Sequence, residues 1–308
     1  MDFFTMTEQE SKMVPPGVAY INGEFTSMHE AKISILDWGF LRSDATYDVA
    51  HVWKGRFFRL DKHVDRFLAG IKKLRMNFDM DRDEIVSILH ECVTQAGHQD
   101  AYVEMICTRG ASPNYERHPK FAQSKFMAFA IPFNWIIPPE RWEQGIHLGV
   151  SQNYARIPSG SVDPTIKNYH WLDLTMGWLE VTDRGADTVL LLSQEGFVCE
   201  GAGFNVFMVS GDKIYTPDIG ILEGITRLSA IEICSELKLC CNILPISIDY
   251  LRSADEIFVT STAGGIMPVT RLDGVVIGNG QPGKVTRKIN ELYWDKHTDI
   301  EWSSAVEY

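Results

Sequence analysis

Residues 18–27, VAYINGEFTS, place short runs of mixed apolar and polar side chains on either side of Asn22-Gly23. That dipeptide is favoured in two-residue hairpin turns, so the run predicts a pair of strands. ATYDVAHVW and RFFRL repeat the pattern about Lys54-Gly55. The period then lengthens: Val64, Phe67, Leu68, Ile71 and Leu74 recur at helical spacing behind Asp61, which reads as a helix cap. A second helix is expected from about Arg82 to Gln95, and AYVEMICT, KFMAFAIPF and GIHLGVSQ read as strands. ARIPSGSVDPT, residues 155–165, combines Pro, Gly and Ser and reads as a connection. Beyond it the pattern predicts a helix over NYHWLDLTMGWLEVTDRG, strands at TVLLLSQ, GFVCEG, NVFMVSG and KIYTP, and a helix opened by EGITRLSAIEICSELK. Strands near NILPISI and EIFVTST follow.

Hairpins mixed with helices imply an α+β fold. The length of 308 residues fits two domains whose interface suits a ligand, and also fits one large α/β domain. The two-domain reading divides the chain into 1–154, with the first 15 or so residues an extension, a connection at 155–163, and 164–308.

Composition narrows the partners. Asp and Glu outnumber Lys and Arg by 41 to 29, for a formal charge of -12, which argues against a basic nucleic-acid face and for a small-molecule partner. Cys92, Cys107, Cys199, Cys234, Cys240 and Cys241 include no C-x-x-C pair and read as structural thiols of an intracellular protein. The start MDFFTMTEQESK lacks the basic and apolar segments of a signal peptide. No run approaches the ~18 apolar residues of a membrane span, and FMAFAIPFNWIIPP is broken by Pro132 and Asn134. A cytoplasmic location without membrane attachment is the resulting expectation. The nine histidines show no metal-ligand spacing, so no metal is expected.

Lys167, in DPTIKNYHWLDL, sits among side chains suited to burial. Burial lowers a lysine pKa from its ordinary ~10.4, and a desolvated lysine is a usable nucleophile. CEGAGFNVF offers Glu200 at a strand end before two glycines. EGITR offers a helix start at Ile225 and Thr226, whose unpaired amides and dipole suit an anion. TSTAGGIMP offers Ser261, Thr262 and Ala263 ahead of a glycine pair, and HVDRF adds Arg66. Singly, each has an ordinary reading: Glu200 a solvated turn residue, Thr226 a cap, Arg66 a surface partner of Asp65 or Asp61. Together, an amine, a carboxylate and several phosphate donors are what pyridoxal phosphate needs.

In order and wording, TIKNYHWLDL, CEGAGFNVF, EGITR and TSTAGGIMP resemble the fold-type IV pyridoxal-phosphate enzymes, the group of branched-chain and D-amino acid aminotransferases and aminodeoxychorismate lyases. The likeness runs from ISILDWGFLRSDATYDV to PGKVTRKINELYW and is greatest to the (R)-selective amine transaminases. It implies a small N-terminal α/β domain, a larger C-terminal domain with a barrel-like sheet, and a homodimer. It also implies a Schiff base between cofactor and Lys167, Glu200 on the pyridine nitrogen, and phosphate held by Arg66, Ile225, Thr226, Ser261 and Thr262. Trp171, four residues beyond Lys167, is expected to share its helix face and line the cofactor pocket.

The same resemblance assigns the substrate pocket to Tyr47, Val49, Tyr102, Glu104, Leu222, Thr262 and Ala263. Tyr47, Val49 and Tyr102 read equally as plain strand residues; Glu104, a carboxylate in so apolar a strand, needs a partner or a wet pocket. Arg117 is the candidate for a mobile arginine that receives a keto-acid carboxylate, with Arg42, standing where relatives often carry histidine, as its helper. Arg109, at a strand end, is read as structural. The implied reaction moves an amino group by a ping-pong route from an (R)-configured amine to pyruvate or a similar 2-keto acid. A D-amino acid or branched-chain aminotransferase is the alternative, and the lyase activity a further one.

Overall fold

Asn22 and Gly23 take positive φ angles of 55° and 86°, and Lys54 and Gly55 take 51° and 72°. Both dipeptides therefore make the tight turns that their composition predicts. They join β1 (Val18–Ile21) to β2 (Glu24–Ser27) and, after the short helix α1 (Trp38–Arg42), β3 (Ala45–Trp53) to β4 (Arg56–Phe58). Two longer helices follow, α2 (Leu60–Lys73) and α3 (Arg82–Ala96), then β5 (Ala101–Ala111) and β6 (Gln123–Pro132). Onward come β7 (Ile146–Val150), α4 (Leu172–Asp183), β8 (Thr188–Leu192), β9 (Val198–Gly201), β10 (Phe204–Ser210), β11 (Lys213–Thr216) and α5 (Ile225–Glu236). The chain continues through β12 (Cys240–Ile243), α6 (Ile248–Arg252), β13 (Glu256–Ser261), β14 (Gly265–Leu272), β15 (Val275–Val276), α7 (Lys284–Asp295) and β16 (Ser303–Ala305). The structure is a computed structural model that describes residues 13–308; most of the expected N-terminal extension, residues 1–12, lies outside the described residues.

Two units are present. The first holds the described residues up to Asn134 together with Lys167–Tyr169 and Ile300–Tyr308, and the second holds Trp135–Ile166 and His170–Asp299. The expected boundary at 154/155 and the connection at 155–163 thus fall inside the second unit. The cause is β7, which pairs in parallel with both β14 and β8 and carries the residues before 155 into that sheet.

The first unit is a seven-stranded sheet in the order β16-β4-β3-β5-β6-β1-β2. Alternation gives it one apolar face, where Ala50, Val52, Val103 and Met105 pack with Val64, Phe67, Ile71, Ile85 and Leu89 of α2 and α3. Asp61 is not the cap of α2. Arg59 holds that place in a left-handed conformation, its amide bonded to the Trp302 carbonyl, and Asp61 sits in the first turn. At α3 a full capping box, Asp81 with Glu84, sets the start.

In the second unit β10, β13, β14, β7, β8 and β9 pair in series, and β9 pairs back onto β10. Six strands close on themselves, the barrel-like sheet the resemblance implies, with β11 and β12 extending it. One face gathers Val206, Met208, Val259, Met267, Ile146, Leu148 and Leu190 into a single core. On the other, Phe207 and Phe258 are paired across β10 and β13 and stack with centroids 4.8 Å apart. NILPISI does not form one strand: the pairing stops at Ile243, Pro245 interrupts it, and Ser247 accepts the Tyr250 amide to start α6. The cysteines are free; Cys92, Cys107, Cys199 and Cys234 are buried, but Cys240 is exposed, against the uniform structural reading. Among the described residues no helix is long and apolar enough to cross a membrane.

Phe258 is fully buried. Phe258→Ala should therefore cost the second unit about 3–5 kcal/mol in a denaturant titration followed by circular dichroism, and a loss under ~1 kcal/mol would contradict this packing.

Candidate active site

Lys167 is fixed by its backbone before its side chain does anything. Its carbonyl accepts the Tyr47 amide at 3.1 Å and the Thr46 hydroxyl at 2.8 Å, and Asn168 bridges Thr46 in antiparallel fashion. Lys167 and Asn168 are thereby laid against β3. The helix expected to begin at 168 begins at Leu172 with Trp171 as its N-cap, so Lys167 and Trp171 share no helix face. Trp171 instead lies 3.5 Å from where a Cβ on Gly203 would stand, and packs on the second unit's cluster around Leu174 and Ala202.

Along β3 the residues Tyr47, Val49 and His51 face one way, and β5 offers Tyr102, Glu104 and Ile106 to the same side, Val49 directly opposite Glu104. The Lys167 Nζ stands 4.6 Å from the Tyr47 ring centroid, a cation–π contact. Tyr169 also stacks on Tyr47, with ring centroids 4.2 Å apart and the rings nearly parallel. Its hydroxyl donates to Glu104 Oε1 at 2.6 Å, and the Tyr102 hydroxyl donates to Oε2 at 3.1 Å. Burial pushes the Glu104 carboxyl up, while the two phenols and the nearby Lys167 charge draw it back down. The partner that this carboxylate required is thus a pair of tyrosines, one of which, Tyr169, went unnoticed in the sequence.

Arg66 does not pair with Asp65 or Asp61. Its Nε and Nη2 grip the fully buried Asp48 at 2.8 Å each, and Asp48 also accepts from His63 Nδ1 at 2.7 Å and from the Val49 amide. Burial alone would raise the Asp48 carboxyl, but the Arg66 charge and the His63 hydrogen bond hold it well below the usual carboxylate range. His63 is itself held below its ordinary value, chiefly by burial. Arg42 folds back over the Trp38 ring at 3.6 Å, and Arg117 is exposed on the loop between β5 and β6. Arg109 bridges Asp44 through two nitrogens and caps the carbonyls of Leu74 and Arg75, consistent with a structural role.

In the second unit, Glu200 is the penultimate residue of β9 and faces Asn205 across the turn at Ala202-Gly203. Its Oε2 accepts the Leu222 amide at 2.8 Å, and its Oε1 accepts Arg156 Nε at 3.0 Å. Asn205 donates to the Leu222 carbonyl at 2.9 Å and pairs in register with Thr260. Glu200, the 222–226 segment and the Ser261 end of β13 are therefore gathered around Asn205. Gly224 caps α5 with no side-chain bond to the first turn, and a Cβ there would collide with the Asn205 amide oxygen. Ser261 is buried and accepts the Ala263 amide at 3.3 Å. A carboxylate, an uncapped 12-residue helix start at Ile225 and Thr226, and a hydroxyl turn at Ser261 and Thr262 form a donor set that fits a pyridine ring bearing a phosphate.

Residues 45–272 match the amino-transferase class IV family model. The chain belongs to the class IV aminotransferases. These are the fold-type IV pyridoxal-phosphate enzymes that the four motifs resemble. The aminotransferase is 31% identical over 289 residues to a putative branched-chain-amino-acid aminotransferase of Methanocaldococcus jannaschii, spanning 93% of this chain and 98% of that one. It is 28% identical over 270 residues to a D-alanine aminotransferase of Bacillus licheniformis, 87% of this chain and 93% of that one. Its structure superposes on a T.th. branched-chain amino acid aminotransferase with pyridoxamine 5′-phosphate at a TM-score of 0.89 and 29% identity, covering 96% of this chain and 100% of that one. These relatives are named for branched-chain amino acids and D-alanine, not for (R)-configured amines.

Because the buried His63 is held below the ~6.5 of an unfolded histidine, the unfolded chain binds more protons between those two values. Stability should be full above pH ~6.5 and fall as pH drops, by up to ~1.4 kcal/mol per pH unit for one group. His63→Gln should flatten that slope in denaturation midpoints from pH 7.5 to 5.5, with His90, also lowered by burial, supplying a remainder. Equal slopes in both proteins would exonerate His63.

Proposed function

We propose that this aminotransferase takes the amino group of a branched-chain amino acid and delivers it to a 2-keto acid. The observation that carries the reading is the near full-length similarity to the Methanocaldococcus jannaschii protein and to the T.th. enzyme, the latter also solved with 4-methylvaleric acid, a branched aliphatic carboxylate. Pyridoxal phosphate, when bound, supplies an aldehyde that takes up the amino group and a protonated ring that draws electron density from the bond broken at the donor carbon.

The chain's own residues do the rest. Lys167 is the covalent anchor and, once displaced by the donor amine, the base that moves the proton at the donor carbon. Its carbonyl clamp on β3 limits where that amine travels. Glu200 holds a proton at the ring nitrogen. The amides of Ile225 and Thr226, the hydroxyls of Ser261 and Thr262, and the Arg66 guanidinium take the phosphate. Tyr47, Val49, Tyr102 and Glu104 form a wall toward the substrate, with Leu222, Thr262 and Ala263 as further contacts. Arg117 is the proposed receiver of the acceptor carboxylate, with Arg42 beside it in role, and the working unit is proposed to be a homodimer.

Glu104 favours a second reading. A buried carboxylate in the substrate wall repels a substrate carboxylate placed against it and suits a donor that lacks one, such as an (R)-configured primary amine.

A panel of single half-reactions separates the two. L-leucine, D-alanine, (R)-1-phenylethylamine and its (S) form are each added to the loaded enzyme while the cofactor absorbance and the carbonyl product are followed. L-leucine should react at least ~10-fold faster than either phenylethylamine; the reverse order selects the second reading, and no reaction with any donor ends both. Lys167→Ala should lower turnover by ~10³-fold or more while leaving the fold intact by circular dichroism, and appreciable turnover would remove Lys167 as the nucleophile.

A further inference from the structure

Arg156 lies in the segment that the sequence presents as a mere connection, and its side chain is buried between two carboxylates. Its Nε donates to Glu200 Oε1 at 3.0 Å and its Nη1 to Asp173 Oδ2 at 2.6 Å. Asp173, in the first turn of α4, is itself pinned: its Oδ2 also accepts the Ile157 amide at 2.8 Å and its Oδ1 accepts the Leu174 amide. The Arg156 amide is tied to the Leu192 carbonyl at the end of β8. So Asp173 is a fixed post, Arg156 a rigid crossbar, and Glu200 the load it carries.

We propose that Arg156 is a positioning residue for Glu200, keeping its carboxylate ionised and turned so that it discriminates a protonated ring nitrogen from a ring carbon. This rests on the reading of Glu200 as the partner of the pyridine nitrogen. The chemistry follows from the geometry. A carboxylate in a buried place drifts toward its neutral acid, which donates a proton where the site must accept one. Two charge-assisted hydrogen bonds oppose that drift: Arg156 on Oε1 fixes the carboxylate plane, and the Leu222 amide on Oε2 fixes its rotation. The three-residue bridge, one guanidinium between two carboxylates, carries one net negative charge, which a protonated ring nitrogen balances. A lysine has no planar fork with which to span both carboxylates at once.

The test is equilibrium binding to cofactor-stripped protein, read by tryptophan fluorescence, with pyridoxal 5′-phosphate and its 1-deaza analogue, in which a C–H replaces the ring nitrogen. Wild type should prefer the nitrogen compound by roughly tenfold or more, the size of one hydrogen bond to a charged group. Arg156→Met should reduce that preference to about twofold or less. Arg156→Lys, which keeps the charge and guards against a misfolded Met variant, should restore part of it. Equal weakening of both ligands, with the preference intact, would mean that Arg156 merely supports the fold and would overturn the proposal. A wild-type protein that cannot tell the two ligands apart would instead overturn the role given to Glu200, and the two failures are distinct.

Discussion

Two hydrogen bonds to one carbonyl, that of Lys167, are the constraint on which the chemistry of the first unit depends. They convert a lysine at the end of a Pro-led loop into an appendage of β3, and everything around it follows from strand geometry. Tyr47, whose amide makes one of those bonds, also lends its ring to the lysine's ammonium group. Tyr169, two residues past the lysine, lies against that same ring and reaches Glu104 on the next strand. The Lys167 amine is therefore referenced to a buried strand rather than to a loop, which is the preorganisation that the nucleophile's role proposed for it requires.

Each unit also carries one deeply buried guanidinium–carboxylate pair next to the residues assigned to the cofactor: Arg66 with Asp48, and Arg156 with Glu200. Such pairs add little net stability, because desolvation consumes most of the Coulomb attraction. Their value is directional. Both arginines use the guanidinium to fix one specific oxygen geometry, and each carboxylate also accepts one backbone amide, that of Val49 on Asp48 and that of Leu222 on Glu200. An acidic chain thus keeps selected cations where anions must be held or oriented.

The sequence was legible where local chemistry dictates structure. Asn22-Gly23 and Lys54-Gly55 need positive φ, and the helix start at Ile225 and the turn at Ser261 and Thr262 are written in contiguous motifs. It was opaque where partners are distant. Arg66 has acidic neighbours at Asp65 and Asp61, both exposed, yet it chooses Asp48, 18 positions away and shielded from water. Arg156 reaches Glu200 across 44 positions, and nothing in ARIPSGSVDPT marks it as more than a connector. Lys167 and Trp171 show the opposite error: a spacing of four implied a shared helical face, but the bridge to β3 outcompetes the helix for the three residues that matter. The substrate wall was readable as residues and not as a network, because Tyr169 reaches it only through that same bridge.

The strand at Ser303–Ala305 borders β4, and around it the Arg59 amide meets the Trp302 carbonyl while the Val306 amide meets that of Gly55. Val306 joins the core of the first unit, although the whole second unit lies between it and the rest of that sheet in chain order. The sheet of the first unit is thus completed from the far side of the second unit in chain order: the outer edge of β4 is covered only by residues that follow the barrel in the sequence.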